Sequence, residues 1–416
     1  MHVSELLANA PPEVMPNGLW LKVLAVCCYA FVSHSLMRYS AERIRKILFA
    51  ALNVIVIAGY EFAIGINKGG SYFNSFISVF LYILTIAGFY VLTRSLVFKK
   101  VWWMAAFAPI IVLALSRYAG FLFFGLLDSW IGLSYMAFRL SQLVVIVRNE
   151  VTPMPDVFEY FGFAFFAPTA FVGPISSYST FHACFSQTDR TATPFGECAL
   201  RMLVGASKIL FLSSVLARLS YAGLLEDGHM HAPIDLAVAG ICYYFYLYCN
   251  FSGICDVAIG TAGLFGIKVS ENFNQPVKAR NIKDFWNRWH MTLSGFMRDM
   301  VFSPMSKALV SRFPSMATHC VAFTIFVIFL LIGIWHGRQL NFLAFGLMHS
   351  FGVVSNFYYD LTLKKYLTRT QLKAYNENHF VHMIAVLLTF SYVSLSFFIF
   401  ANSPQEMREI LNAIKW

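Results

Sequence analysis

The sequence predicts an all-α, polytopic membrane protein, on three observations. Of its 416 residues, 58% are hydrophobic and only 12% charged, against roughly 25% charged in an ordinary soluble domain. Apolar runs of near-spanning length recur from residue 19 to residue 400, and crossing a hydrocarbon core takes about 20 such residues. No soluble domain of any size is appended to these runs, so residues 1–416 read as one membrane-embedded domain.

The first run, 19–37, follows no basic cluster and ends without a small-residue cleavage pattern. It is therefore expected to be a retained helix rather than a signal peptide. Further runs are 47–66, 72–93, 101–117, 130–148 and 157–176, then 199–220, 233–250 and 253–267, and last 317–336, 339–358 and 380–400. Several carry Gly, Pro or charge, and about eleven crossings are expected. Re-entrant backbone is expected among 118–130, 157–176 and 253–300, because irregular chain at membrane depth needs protein or water to satisfy it.

Lysine and arginine near the span ends set the orientation. Arg38, Arg43, Arg45 and Lys46 sit in one loop and Arg94, Lys99 and Lys100 in another, whereas the loop between them holds only Lys68. The two basic loops are therefore expected in the cytoplasm and the N-terminus outside. The net charge of +10 suits anionic lipid, since no basic stripe with interleaved aromatics marks a nucleic-acid face. Eight cysteines without any C-x-x-C spacing point to neither a metal site nor a disulfide framework.

Residues 283–302 differ from the runs around them. Trp286, Trp289, His290, Leu293, Phe296, Met297 and Met300 recur at three-and-four spacing, with Asn287, Arg288, Thr292, Arg298 and Asp299 opposite. That periodicity predicts one amphipathic helix, too polar to span, with His290 on its apolar side. A second notable histidine, His336, ends an apolar run between Trp335 and Gly337.

A histidine at membrane depth is a functional hypothesis by default; the alternative is a neutral imidazole bonded to a backbone carbonyl. Burial disfavours the cation, and a neutral imidazole can take a proton from a hydroxyl. No Gly-x-Ser-x-Gly elbow, Walker loop, zinc spacing or glycine-rich dinucleotide loop is present. Histidine-based transfer without a covalent enzyme intermediate remains. Arg139, Gln142, Arg148, Lys208, Asn250 and Asp256 are further intramembrane polar groups, each with a helix-packing role as the alternative.

The stretch "NFNQPVKARNIKDFWNRWHMTLSGFMRDMVF" (272–302), followed by "GIWHG" (333–337), resembles the paired histidine motifs of the membrane-bound O-acyltransferase family. Similar stretches are "IGLSYMAFRLSQLVVIVRNE" (131–150), "VGPISSYSTF" (172–181), "YCNFSGICDVAIGTAGLFGI" (248–267) and "FFIFANSPQEMREIL" (397–411). The bacterial branch of that family includes the D-alanyl transferases of teichoic acid modification, to which the chain looks closer, and the alginate O-acetyltransferases.

The resemblance implies a ring of spanning helices around a central funnel, with His336 catalytic at the bottleneck and His290 its partner on the cytoplasmic side. Trp286, Arg288, Trp289, Asn250, Tyr248, Ser252, Arg298, Asp299 and Trp335 become the residues expected to line the tunnel or bind the donor. No metal and no bound cofactor are implied. The donor would be a thioester, on an acyl carrier protein or as acyl-coenzyme A, and the place a bacterial cytoplasmic (inner) membrane. The expected partner is a membrane-anchored extracytoplasmic acyltransferase that passes the group to a cell-envelope glycopolymer. Ser176 and Ser177 after the Gly-Pro-Ile, and Asn250 where the family carries aspartate, depart from the pattern. They leave both D-alanyl and acetyl as acyl groups. A proton-relaying transporter and an envelope scaffold are the competing classes, separable by whether a thioester is consumed.

Overall fold

In a computed structural model, the described residues are 42–67, 71–118, 130, 132–186, 194–226 and 229–415, with 28–29, 31–32 and 35–36 before them. Most of the run 19–37, and most of the proposed re-entrant piece 118–130, lie outside them. Among the described residues every regular element is helical. Seven helices among the described residues are long and apolar enough to cross a membrane: Arg43–Asn67, Tyr72–Leu96, Phe195–Arg218, Pro233–Leu264, Pro314–His336, Leu340–Tyr366 and His379–Ala401. The shorter Trp102–Tyr118 is also apolar. The protein is thus a multi-pass membrane protein.

The described chain forms two compact units. The first holds the described residues up to 206 together with 253–270. Its helices are α1 (Glu42–Asn67), α2 (Tyr72–Leu96), α3 (Trp102–Tyr118), α4 (Leu133–Arg148), α5 (Val157–Ala164), α6 (Tyr178–Ser186) and most of α7 (Phe195–Ser207). Its core is aromatic: Phe49 packs against Phe166, Phe181, Phe185 and Phe265.

The run 157–176 does not form one helix. Asp156 caps α5 by accepting from the Phe158 and Glu159 N–H groups at 2.9 Å, and α5 ends at Ala164. The carbonyls freed there are taken up by the fully buried Arg139, whose guanidinium donates to the Phe163 and Ala164 oxygens at 3.3 and 3.1 Å. An interior side chain thus satisfies helix-end acceptors that water would otherwise reach.

The second unit holds 207–252 and 271–416. It contains α8 (Ser213–Arg218), α9 (Tyr221–Glu226), the first part of α10 (Pro233–Leu264), α11 (Ile282–Trp286), α12 (Met291–Met297), α13 (Ser303–Arg312), α14 (Ala317–His336), α15 (Leu340–Tyr366), α16 (Arg369–Glu377), α17 (His379–Ala401) and α18 (Pro404–Asn412). The separate runs 233–250 and 253–267 prove to be the single helix α10. Glycine inside it does not stop it, since an isolated helical glycine costs only about 1 kcal/mol.

The expectation of one amphipathic helix over 283–302 is also corrected. α11 stops at Trp286, α12 starts at Met291, and residues 298–302 widen into a π-helical turn before α13. The break falls on His290, whose φ of 45° is left-handed. Side chains 286, 289, 290, 293, 296 and 297 are nevertheless buried and Arg298 and Asp299 exposed. The apolar pattern therefore reported burial correctly but not helical continuity. A short antiparallel pairing explains the break: Asn274 N–H donates to the Arg288 oxygen at 2.9 Å and Met291 N–H to the Asn272 oxygen at 3.0 Å. Backbone groups around residues 288–291 are satisfied by 272–274 instead of by a helix.

α14 is held tightly against α15 at one crossing. A Cβ on Gly333 would lie 2.6 Å from the Phe342 oxygen and 2.8 Å from the Gly346 Cα. Only paired glycines permit that approach, and it sets the depth of His336 one turn further along.

Candidate active site

All eleven residues singled out from the sequence belong to the second unit. His336, at the C-terminal end of α14, stands in an aromatic cage. Its ring meets Phe400 edge-on at 4.9 Å and Phe345 edge-on at 5.9 Å, lies roughly parallel to Phe342 at 6.2 Å, and touches Trp335 at 4.8 Å. Asn341 ties this cage together, because its Nδ2 donates to the Phe400 oxygen at 3.0 Å, joining the start of α15 to the end of α17.

His290 is 4% exposed, and its ring meets Phe251 edge-on at 4.8 Å. Its Nδ1 lies 3.1 Å from Asn272 Oδ1. That oxygen also accepts from the Thr292 N–H at 3.1 Å and the Thr292 hydroxyl at 2.9 Å. A backbone N–H can only donate, so the Asn272 atom is the oxygen, and His290 must place its proton on Nδ1. Its Nε2 is then a bare lone pair, buried and without a hydrogen-bond partner among the described residues. Burial, and secondarily the neighbouring His336, lower the His290 pKa from 6.5 to about 3. It is a neutral acceptor at any physiological pH.

The remaining residues sort by their partners. Trp289 lies parallel to Phe285 at 5.5 Å and edge-on to Phe273 at 5.0 Å, and Tyr248 packs beside both Phe273 and Trp289. Asn250 Oδ1 and Ser252 Oγ are buried and have no hydrogen-bond partner among the described residues. Arg288 is engaged by Asp284 at 2.9 Å and the Asn274 oxygen at 3.3 Å, so it braces the α11 turn. Arg298 and Asp299 pair with each other at 2.9 Å on an exposed surface, and that bond raises the Arg298 pKa further. Of the additional polar groups, Arg139, Gln142, Arg148 and Asp256 fall in the first unit, where Asp256 pairs with Arg201 at 3.2 Å.

Two functional candidates escaped the sequence reading. Asn272 opens the quoted 272–302 stretch, so its place in that motif was a usable signal. His349 is fully buried, and its Nδ1 receives the Trp286 indole N–H at 3.1 Å. It carried no signal beyond being one more histidine in an apolar run.

The arrangement brings two histidines close enough for His290 to feel the charge of His336, with His290 buried and neutral and His336 half-buried among aromatic rings.

Comparison with known proteins identifies the family. The profile of the MBOAT, membrane-bound O-acyltransferase family, matches residues 19–398. The teichoic acid D-alanyltransferase of Streptococcus thermophilus is 30% identical over 294 residues, 66% of this chain and 68% of that protein. The teichoic acid D-alanyltransferase of Bacillus subtilis is 30% identical over 295 residues, 67% of this chain and 70% of that protein. The peptidoglycan O-acetyltransferase of Helicobacter pylori is 29% identical over 269 residues, 63% of this chain and 48% of that protein. With a profile spanning most of its length and both histidines inside it, the chain is an acyltransferase and belongs to the membrane-bound O-acyltransferase family.

Proposed function

We propose that this acyltransferase moves a D-alanyl group from a carrier-protein thioester on the cytoplasmic side to an extracytoplasmic acceptor hydroxyl, on the way to a teichoic-acid-like envelope polymer. The observation that carries the proposal is the bare, buried Nε2 of His290 beside a second histidine, His336, whose charge it feels. Similarity to two teichoic acid D-alanyltransferases over two thirds of the chain favours D-alanine as the acyl group.

In this reading His336 accepts the proton of the acceptor hydroxyl as its oxygen attacks the thioester carbonyl. The new C–O bond forms, the C–S bond breaks, and the proton passes from His336 to the departing sulfur. General-base help of this kind is worth typically ~10²–10⁴-fold in rate. His290 stays neutral because a second cation next to a protonated His336, away from water, is too costly. It contributes an acceptor for an N–H of the donor arm. Trp286, Trp289, Tyr248, Asn250, Ser252 and Trp335 line the path of the donor, while the exposed Arg298 and Asp299 face it at the surface.

The basic loops support an N-terminus outside and a donor side in the cytoplasm of a bacterial inner membrane. A membrane-anchored extracytoplasmic acyltransferase would take over the group for delivery to the polymer.

Acetyl transfer from acetyl-coenzyme A to an exported glycan is the second reading. Asn250, a neutral amide with a buried and unpartnered Oδ1, offers no anion to the ammonium group of D-alanine, and the relatives include a peptidoglycan O-acetyltransferase.

Acyl release from radiolabelled D-alanyl carrier protein and acetyl-coenzyme A, by membranes holding the native chain or its His336→Ala form, tests both. His336-dependent consumption of the first donor is expected. Full activity in a folded His336→Ala protein would remove His336 from the chemistry.

A further inference from the structure

We infer that His349 is a positioning residue for this acyl transfer, acting through Trp286 and Phe345 on the cage around His336. The inference rests on the acyl-transfer reading above and extends it to a residue that touches neither substrate nor the reacting atoms.

Indole nitrogen can only donate, so the 3.1 Å contact from Trp286 Nε1 leaves His349 Nδ1 as the acceptor. On the other side of the ring, Nε2 lies 2.9 Å from Ser396 Oγ. The Ser396 hydroxyl spends its one proton on the Val393 oxygen at 2.7 Å, so it accepts from His349. The imidazole is thereby held as the neutral Nε2–H form, with both nitrogens occupied. A proton added at Nδ1 would break the bond to Trp286. His349 is therefore disqualified as a proton carrier, in contrast to His290, whose Nε2 is open.

What His349 does instead follows from the elements it joins. Trp286 ends α11, four residues before His290, and its indole packs edge-on to His349 at 5.1 Å. His349 itself lies on α15, where its ring meets Phe345 at 4.4 Å. Phe345 is one wall of the His336 cage and also touches Phe400 at 5.1 Å. Ser396 lies on α17, the helix that delivers Phe400 to the opposite wall. One fully buried ring thus ties the turn carrying His290 and the helices carrying both walls around His336. Such supporting contacts matter because catalytic groups tolerate only small displacements.

Glutamine provides the test, since its carboxamide carries an acceptor oxygen and a donor NH2 group and can replace both bonds without an imidazole. For His349→Ala, kcat is expected to fall about 10–100-fold, the scale seen when a supporting partner is removed, with KM for the thioester little changed and Tm lowered by the cavity and the unpaired Trp286 N–H. His349→Gln is expected to recover most of that loss with the native pH–rate profile. A folded His349→Ala protein with native kcat would overturn the inference. So would a His349→Gln protein as slow as the alanine form at native Tm, because the imidazole itself would then be needed.

If His349→Ala does not accumulate, Trp286→Phe removes the same bond from its other end. Because Trp286 also lines the donor path, the readouts are kcat at saturating thioester and the reactivity of His336 described next; both should change as in His349→Ala, and unchanged values would count against the role. A donor-independent arm separates this inference from the acyl-transfer reading: the rate at which diethyl pyrocarbonate modifies His336, followed by peptide mass spectrometry. His349→Ala should change that rate severalfold and His349→Gln should restore it, whether or not either thioester is consumed. An unaltered rate in His349→Ala would show that the cage does not depend on His349.

Discussion

Asn272 Oδ1 and His290 Nδ1 lie 3.1 Å apart, and that bond decides which nitrogen of His290 is left open. The same oxygen holds the Thr292 backbone and hydroxyl, so it also stabilises the left-handed turn at His290. A non-glycine residue at φ 45° is uncommon and costs on the order of 1–3 kcal/mol unless its surroundings fix it.

Asn272→Ala is accordingly expected to lower kcat by about 10–100-fold, as loss of an orienting partner does. It should also cost about 1–3 kcal/mol of stability, because buried donors are left unpaired. Kinetics and thermal melts in the same detergent measure the two effects separately. Native kcat in this variant would show that the His290 tautomer is not used.

The low pKa of His290 makes a pH prediction. Its folded value, about 3, lies below its ordinary 6.5, so the unfolded chain binds the proton more readily. Above pH 6.5 the residue contributes no slope. As pH falls from 6.5 towards 3 the unfolded state gains a proton the folded state refuses, and stability falls by about 1.4 kcal/mol per pH unit. Between pH 6.5 and pH 5 the native protein should thus lose about 2 kcal/mol more than His290→Gln does. Equal losses in chemical-denaturation series at the two pH values would mean that His290 is hydrated rather than buried.

Crowding at the α14–α15 crossing gives another. A methyl group on Gly346 would lie 2.9 Å from the Gly333 Cα and from the Phe329 oxygen, which are backbone atoms with little room to yield. Gly346→Ala is expected to cost about 1–3 kcal/mol through overpacking, and to slow acyl transfer by displacing His336. Tm and kcat should fall together, whereas a Tm drop with native kcat would separate helix spacing from placement of the histidine.

Much of this molecule is local, and that part was legible without coordinates. Apolar runs of spanning length need no long-range information, since hydrocarbon demands about 20 consecutive residues whose backbone bonds close within the run. Helices Tyr72–Leu96, Leu340–Tyr366 and His379–Ala401 fall close to where composition places them. His290 and His336 stand out in the sequence because one lies on the apolar side of an amphipathic stretch and the other ends an apolar run, and the buried and exposed faces of 286–299 follow their helical spacing.

Tertiary structure decided what spacing cannot encode. Residues 233–264 form one helix rather than two because glycine weakens a helix without ending it. Residues 283–302 break at His290 because a distant segment, 272–274, competes for their backbone groups. Asn272 and His349 meet hydrogen-bond partners 18 and 63 residues away in sequence. Periodicity reports which side of an element is apolar; it carries no record of which far residue supplies the matching hydrogen bond. That choice is made by packing, where a buried polar group must find a partner or pay its full desolvation cost.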